Sequence, residues 1–209
     1  MAHKVHPKIF RIGSTEDWDA SWLSDEKYQK NLKEDIKIRN FLAKEFERGV
    51  IEKVKISRLA NKINITIRTA KPGFLIGKGG QGAENLSKKI AEIIKGKEIK
   101  IDIEEVKEPL MSATIVADQI AADIERRVPF RRAIKRSMER VLQKKEIEGI
   151  KIKIKGRLDG VEIARSETFK KGKLPLQTIR ANVDYAETRA YCTYGVVGIK
   201  VWLYKGEKI

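Results

Sequence analysis

The sequence predicts an α+β protein made of two successive domains, the first a three-stranded sheet with helices and the second a mixed sheet packed on helices. Three observations predict it. Segments whose apolar residues recur at helical spacing are interleaved with segments that alternate apolar and polar residues. The pattern resets around Lys107 to Pro109, which divides the chain into residues 1–18, 19–106 and 107–209. With 209 residues, 41% of them hydrophobic, each of the two larger parts has enough apolar material for its own core.

Residues 1–18 set Lys4, Lys8 and Arg11 around Pro7 and Gly13 without a regular period, which predicts a basic arm. From Tyr28 to Arg48, Leu32, Ile36, Ile38, Phe41, Leu42 and Phe46 recur at helical spacing, and Gly49 supplies a stop. Val50 to Ser57 and Lys62 to Thr69 alternate as strands, with a polar connector from Arg58 to Asn61. Lys71, Pro72 and Gly73 interrupt the pattern before a short apolar piece, Phe74 to Ile76, and a glycine cluster at positions 77, 79, 80 and 82. Ala83, Leu86, Ile90, Ile93 and Ile94 then mark one face of a helix, away from Lys88, Lys89 and Lys95, that ends at Gly96. Ile99, Ile101 and Ile103 form a third alternating strand.

Beyond the boundary, Ala113, Val116, Ala117, Ile120, Ala121 and Ile124 define an amphipathic helix. Pro129 either kinks this helix or opens the next, which runs to about Lys145. Strands at Ile150 to Lys155, about Ile179 to Ala186, and Val196 to Lys205 complete the second domain.

Charge narrows the function. There are 45 Lys and Arg against 29 Asp and Glu, a formal net charge of +16, which points to a polyanionic partner. The one cysteine, Cys192, excludes an internal disulfide and reads as a buried small residue in a reducing compartment. His3 and His6 make a poor metal site, and no acid/base pair or nucleophile motif supports an enzyme, so no metal or cofactor is expected. The N-terminus lacks a signal peptide and no segment has the apolar length of a membrane span, which leaves a cytoplasmic protein.

The glycine cluster has competing readings. A nucleotide P-loop fails, because Gly77 and Lys78 are followed by Gly79 rather than a hydroxyl, and Pro72 stands where its first glycine belongs. Gly77, Gly79 and Gly82 satisfy a dinucleotide fingerprint literally, but Pro72 to Ile76 separates them from the preceding strand. Gly77, Lys78, Gly79 and Gly80 also form the GxxG loop of a KH domain, which clamps a single-stranded RNA backbone, and the order of elements supports this reading. A purely structural turn remains open.

From Arg126 to Lys145 basic residues dominate, with Glu139 as the one acid. On a helix, Phe130, Ile134, Met138 and Val141 gather on one side, and Arg131, Arg132, Lys135, Arg136 and Arg140 on the opposite arc. A face of one sign repels itself, so an external polyanion is the economical explanation, and arginines suit phosphates and unpaired bases. Lys151, Lys153 and Lys155 project from one face of a strand, continued by Arg157 and Arg165, as further candidate RNA contacts with Lys4, Lys8 and Arg11. Trp18, Trp22 and Trp202 are expected to be packing residues.

Six segments in order, KVHPKIFRIG from Lys4, KPGFLIGKGG from Lys71, ERRVPFRRAIKR from Glu125, IKGRLDGVEIARSE from Ile154, LPLQTIRANVDYA from Leu174 and YGVVGIKVWLYKGE from Tyr194, resemble bacterial small-subunit ribosomal protein three. The resemblance covers essentially the whole chain. It implies a type II KH domain and a place in the head of the small subunit, bound to rRNA beside ribosomal proteins ten and fourteen. It further implies that residues matching Arg131, Arg132 and Lys135 line the channel by which mRNA enters, near proteins four and five, and assist unwinding of structured mRNA. Gly79 stands where a second basic residue is common in the family, leaving Lys78 as the loop's one charge. The end at Ile209, without a long tail, fits a bacterial form. The contrasting functions are a free KH-type RNA regulator, a nucleic-acid lyase and a dinucleotide oxidoreductase.

Overall fold

The computed structural model describes residues 4–23, 27–59, 62–94 and 97–207. His3, Asn61, Lys95, Gly96 and Ile209, all named from the sequence, lie outside them. In chain order the elements are α1 (Pro7–Phe10), β1 (Ala20–Ser21), α2 (Tyr28–Glu45), β2 (Ile51–Leu59), β3 (Lys62–Thr69), α3 (Pro72–Ile76), α4 (Gln81–Ile93) and β4 (Glu98–Glu105). There follow α5 (Ala113–Glu125), α6 (Phe130–Leu142), β5 (Gly149–Gly156), β6 (Arg165–Gly172), β7 (Ala181–Cys192) and β8 (Gly195–Glu207). These form two compact units, Trp18–Lys107, and Glu108–Ile209 together with Met1–Asp17.

In the first unit the sheet order is β1-β2-β3-β4, with β2 antiparallel and β4 parallel to the central β3. The sheet has a fourth strand beyond the three expected, the two-residue β1 pairing parallel to β2 at its edge. Period-two burial explains the layering: Ile63, Ile65 and Ile67 of β3 point to one face and are buried with Ile38 and Leu42 of α2 and Ile90 of α4. The buried side of α2 also carries Asn31 and Asp35, which bind Arg58 of β2 together with Glu34. Arg58 thus ties the helix to the sheet through ions that satisfy each other.

In the second unit the sheet order is β6-β5-β8-β7. Every neighbouring pair is antiparallel, so the sheet is not mixed as the sequence led us to expect. The reason is the connections: β5, β6, β7 and β8 follow one another without an intervening α-helix, and a parallel pair needs a long crossover. β6 was not foreseen either, since RSETFKKG lacks the apolar alternation of a buried strand and forms an exposed edge. Ile150, Ile152 and Ile154 face Leu203, Val201 and Ile199 across the ladder, and this side packs under α5 and α6.

Pro129 is the N-cap of α6. It opens a new helix after the turn at Arg126 and Arg127, where Arg127 takes φ +63°.

The basic arm needs correction. Residues 7–10 are helical, and the segment belongs to the second unit. Arg11 is 1% exposed and donates to the carbonyls of Pro7, Pro175, Leu176, Thr178 and Ala181. Lys8 pairs with Asp184 at 3.1 Å, and His6 meets the edge of the Tyr185 ring with 4.8 Å between centroids.

Candidate nucleic-acid interface

The glycine loop follows α3 directly and leads into α4. Gly77, Gly79 and Gly80 take φ of +69°, +62° and +83°, a succession that L side chains resist. A Cβ at Gly79 or Gly80 would meet nothing within 4 Å, so glycine is required there by backbone conformation and the main chain is open to an approaching strand. Gly82 is different: its Cβ would lie 2.5 Å from the Leu75 carbonyl oxygen, so this glycine lets α4 close against α3. Gly80 is the N-cap of α4, with no side-chain hydrogen bond to the helix's first N–H groups.

α6 carries the strongest charge. Phe130, Ala133, Ile134, Ser137, Met138 and Val141 are buried, while Arg131, Arg132, Lys135, Arg136 and Arg140 are all exposed. The burial of one side leaves the cations on a rigid element, aimed at solvent. The structure corrects the expectation that this face has no acidic partners. Arg136 pairs with Asp123 of α5 at 2.6 Å, and Arg131 pairs with Glu167 of β6 at 3.1 Å. The hydrogen bond from Arg131 to Glu167 raises the pKa of a guanidinium that is ionised in any case. Arg132, Lys135 and Arg140 have no ion pair among the described residues. Asp159, at φ +54°, accepts the N–H of Phe130 and so steadies the start of the helix from a distant turn.

A second basic area lies on the open face of the second unit's sheet. Lys151, Lys153 and Lys155 alternate with the buried isoleucines, as expected, and Lys170 stands opposite Lys151 on β6. Burial, then the like charges of Lys4, Lys153 and Lys170, lowers the pKa of Lys151, whose Nζ lies 5.1 Å from the centroid of the Trp202 ring. Four lysines held close together make a ready phosphate surface.

Two of the candidate contacts have other work. Arg11 is enclosed by carbonyls, and Arg157 donates to the carbonyls of Gly160, Val161 and Tyr194, fixing the turn before β6. Arg165 pairs with Glu167 at 3.4 Å, and Lys8 is held by Asp184. Lys4 remains exposed. Trp22 donates to Asp35 and Trp202 packs on Tyr185, while Trp18 is 65% exposed. Cys192 is half-buried against the helix–sheet core. No helix among the described residues is long and apolar enough to cross a membrane.

With this geometry in place, comparison with known proteins decides the family. Residues 37–110 match the KH domain, and residues 120–203 match the family described as "Ribosomal protein S3, C-terminal domain". The chain is 49% identical over 208 residues to the small ribosomal subunit protein uS3 of Carboxydothermus hydrogenoformans, covering 99% of this chain and 93% of the relative. The chain belongs to the uS3 family of small-ribosomal-subunit proteins. The uS3 proteins of Clostridium botulinum (strain Okra) and Syntrophomonas wolfei are each 48% identical, covering 99% of this chain and 93% and 90% of themselves. Membership in the uS3 family places the glycine loop in a KH domain and α6 in the domain that follows, and it names a structural ribosomal component rather than a reaction.

The acids that frame α6 were missed in the sequence. Glu167 and Asp159 lie 36 and 29 residues from the groups they bind, with nothing local to signal the pairing.

Proposed function

We propose that this uS3-family protein is a structural, non-enzymatic constituent of the small ribosomal subunit head in the cytoplasm, binding rRNA and mRNA. The observation that carries the reading is the exposed cationic face of α6, fixed by a fully buried opposite side. In this reading Arg131, Arg132 and Lys135, with Arg136 and Arg140, face mRNA at the channel by which it enters the ribosome. They hold the strand through its phosphates and through stacking on unpaired bases, which disfavours hairpins without consuming nucleotide. The lysines at 4, 151, 153, 155 and 170 take rRNA phosphates and fix the protein's position. The loop of Gly77 to Gly80 offers a further contact for a single strand. Ribosomal proteins ten and fourteen are its neighbours in the head, and proteins four and five share the channel.

Sedimentation of a lysate containing the tagged chain, in low salt and after a moderate salt wash, tests the assignment. Phosphate-driven nonspecific binding weakens steeply with salt. Comigration with small subunits and translating ribosomes after the wash is expected. A slow-sedimenting or salt-labile pool would instead indicate a free RNA-binding regulator.

A further inference from the structure

Glu167 belongs to none of the roles assigned so far. It sits on β6 opposite Ile154, on the helix side of the sheet, with its side chain 23% exposed. One carboxylate oxygen, Oε1, accepts from Arg131 Nη2 at 3.1 Å and lies 3.4 Å from Arg165 Nε. A single anionic oxygen between two guanidinium groups is the arrangement that a phosphodiester oxygen takes when two arginines bind it. Arg131 is itself 63% exposed, so the same guanidinium is open to a strand passing over α6. Its neighbours Arg132 and Lys135 carry no such partner among the described residues.

We propose that Glu167 is an internal phosphate mimic that competes with the RNA backbone for Arg131 and Arg165, so that this end of the basic face holds a strand loosely. The inference rests on the reading of α6 as an RNA-facing surface. With Glu167 in place the three side chains sum to one positive charge, and without its charge they sum to two. An RNA phosphate arriving at Arg131 must displace the carboxylate or share the guanidinium with it. Exposed ion pairs are weak enough for this exchange. A protein that must let a strand move gains from such a built-in competitor, because it shortens the lifetime of each phosphate contact while one net positive charge remains to attract the strand.

The test is binding of a fluorescein-labelled oligouridylate to the full chain across a potassium chloride series, comparing the parent with Glu167→Gln, Glu167→Ala, and Arg131→Met with and without Glu167→Gln. Both Glu167 variants should bind about threefold more tightly at low salt, the effect of one unit charge at about 6 Å in a water-like dielectric. The slope of log affinity against log salt should steepen by about 0.7, one more phosphate neutralised on a single strand. In the Arg131→Met background the gain should fall by at least half. Unchanged or weaker binding by folded Glu167→Gln, or a gain that persists in full without Arg131, overturns the proposal. A triple Arg131, Arg132 and Lys135 alanine variant separates this from the underlying reading. If it binds as the parent does, α6 is not the RNA surface; if it alone loses binding, only the role of Glu167 is rejected.

Discussion

Replacing Arg11 by Met should unfasten the N-terminal segment from the unit into which it folds. The guanidinium donates to five carbonyl oxygens at 2.8 to 3.4 Å and is 1% exposed, with no carboxylate bound to it among the described residues. Hydrogen bonds from a charged group contribute about 1.5–3 kcal/mol each, and the buried cation costs several kcal/mol of lost hydration in return. Met fills the volume but leaves the Leu176 and Ala181 carbonyls without their guanidinium donor, at about 1–3 kcal/mol apiece. The net expectation is a loss of about 3 kcal/mol, within the range for breaking a buried polar network. In urea, with an m-value of about 2 kcal/mol per molar, the midpoint for the unit that contains Arg11 should fall by about 1.5 M. Arg11→Lys should recover less than half, because an ammonium cannot span the carbonyls that the planar fork reaches. Circular dichroism, with amide exchange at Ala181 as a local probe, reads the effect. A loss under about 1 kcal/mol would show that the segment is held by something other than this cation.

Two further outcomes follow from the same contacts. Gly82→Ala puts a methyl group 2.5 Å from the Leu75 carbonyl oxygen, so it should cost about 1–3 kcal/mol and broaden the amide resonances of the glycine loop; a neutral change in thermal melting would refute the close approach. Burial opposes ionisation of Asp184, but Lys8, Lys205 and the Ala113 N–H outweigh it and hold its pKa below the ordinary carboxylate value. A carboxylate depressed on folding stabilises above its unfolded pKa of about 3.9, and that contribution is lost as pH falls through the folded value. Asp184→Asn should therefore be less stable at neutral pH and lose less stability than the parent below about pH 4; parallel acid-unfolding curves would contradict this.

The legible parts of the sequence are those where a period or a backbone requirement is local. Ile150, Ile152 and Ile154 alternate with lysines and are buried as a row, and the glycines from 77 to 80 mark a loop that only their conformational freedom permits. Pro129 left two readings open, and the turn at Arg126 and Arg127 selects the one in which it starts α6. What stayed hidden depends on distant pairing. Arg11 looked like one more exposed cation of a basic arm because its partner Ala181 lies 170 residues away. β6 offered only Phe169 as an inward apolar residue, too little to mark an edge strand. The charge of α6 was plain in the sequence, but the acids that temper it come from α5, β6 and a turn.

The central claim, that the exposed face of α6 acts on mRNA, is tested most directly by translation with ribosomes carrying Arg131, Arg132 and Lys135 all changed to Ala. Matched messages, one with a stable hairpin downstream and one unstructured, would be compared at equal ribosome concentration. The account predicts a clearly larger loss on the hairpin message, because an unpaired strand is then held less well against re-pairing. Equal losses on both messages, with the variant protein present in the subunits, would contradict it.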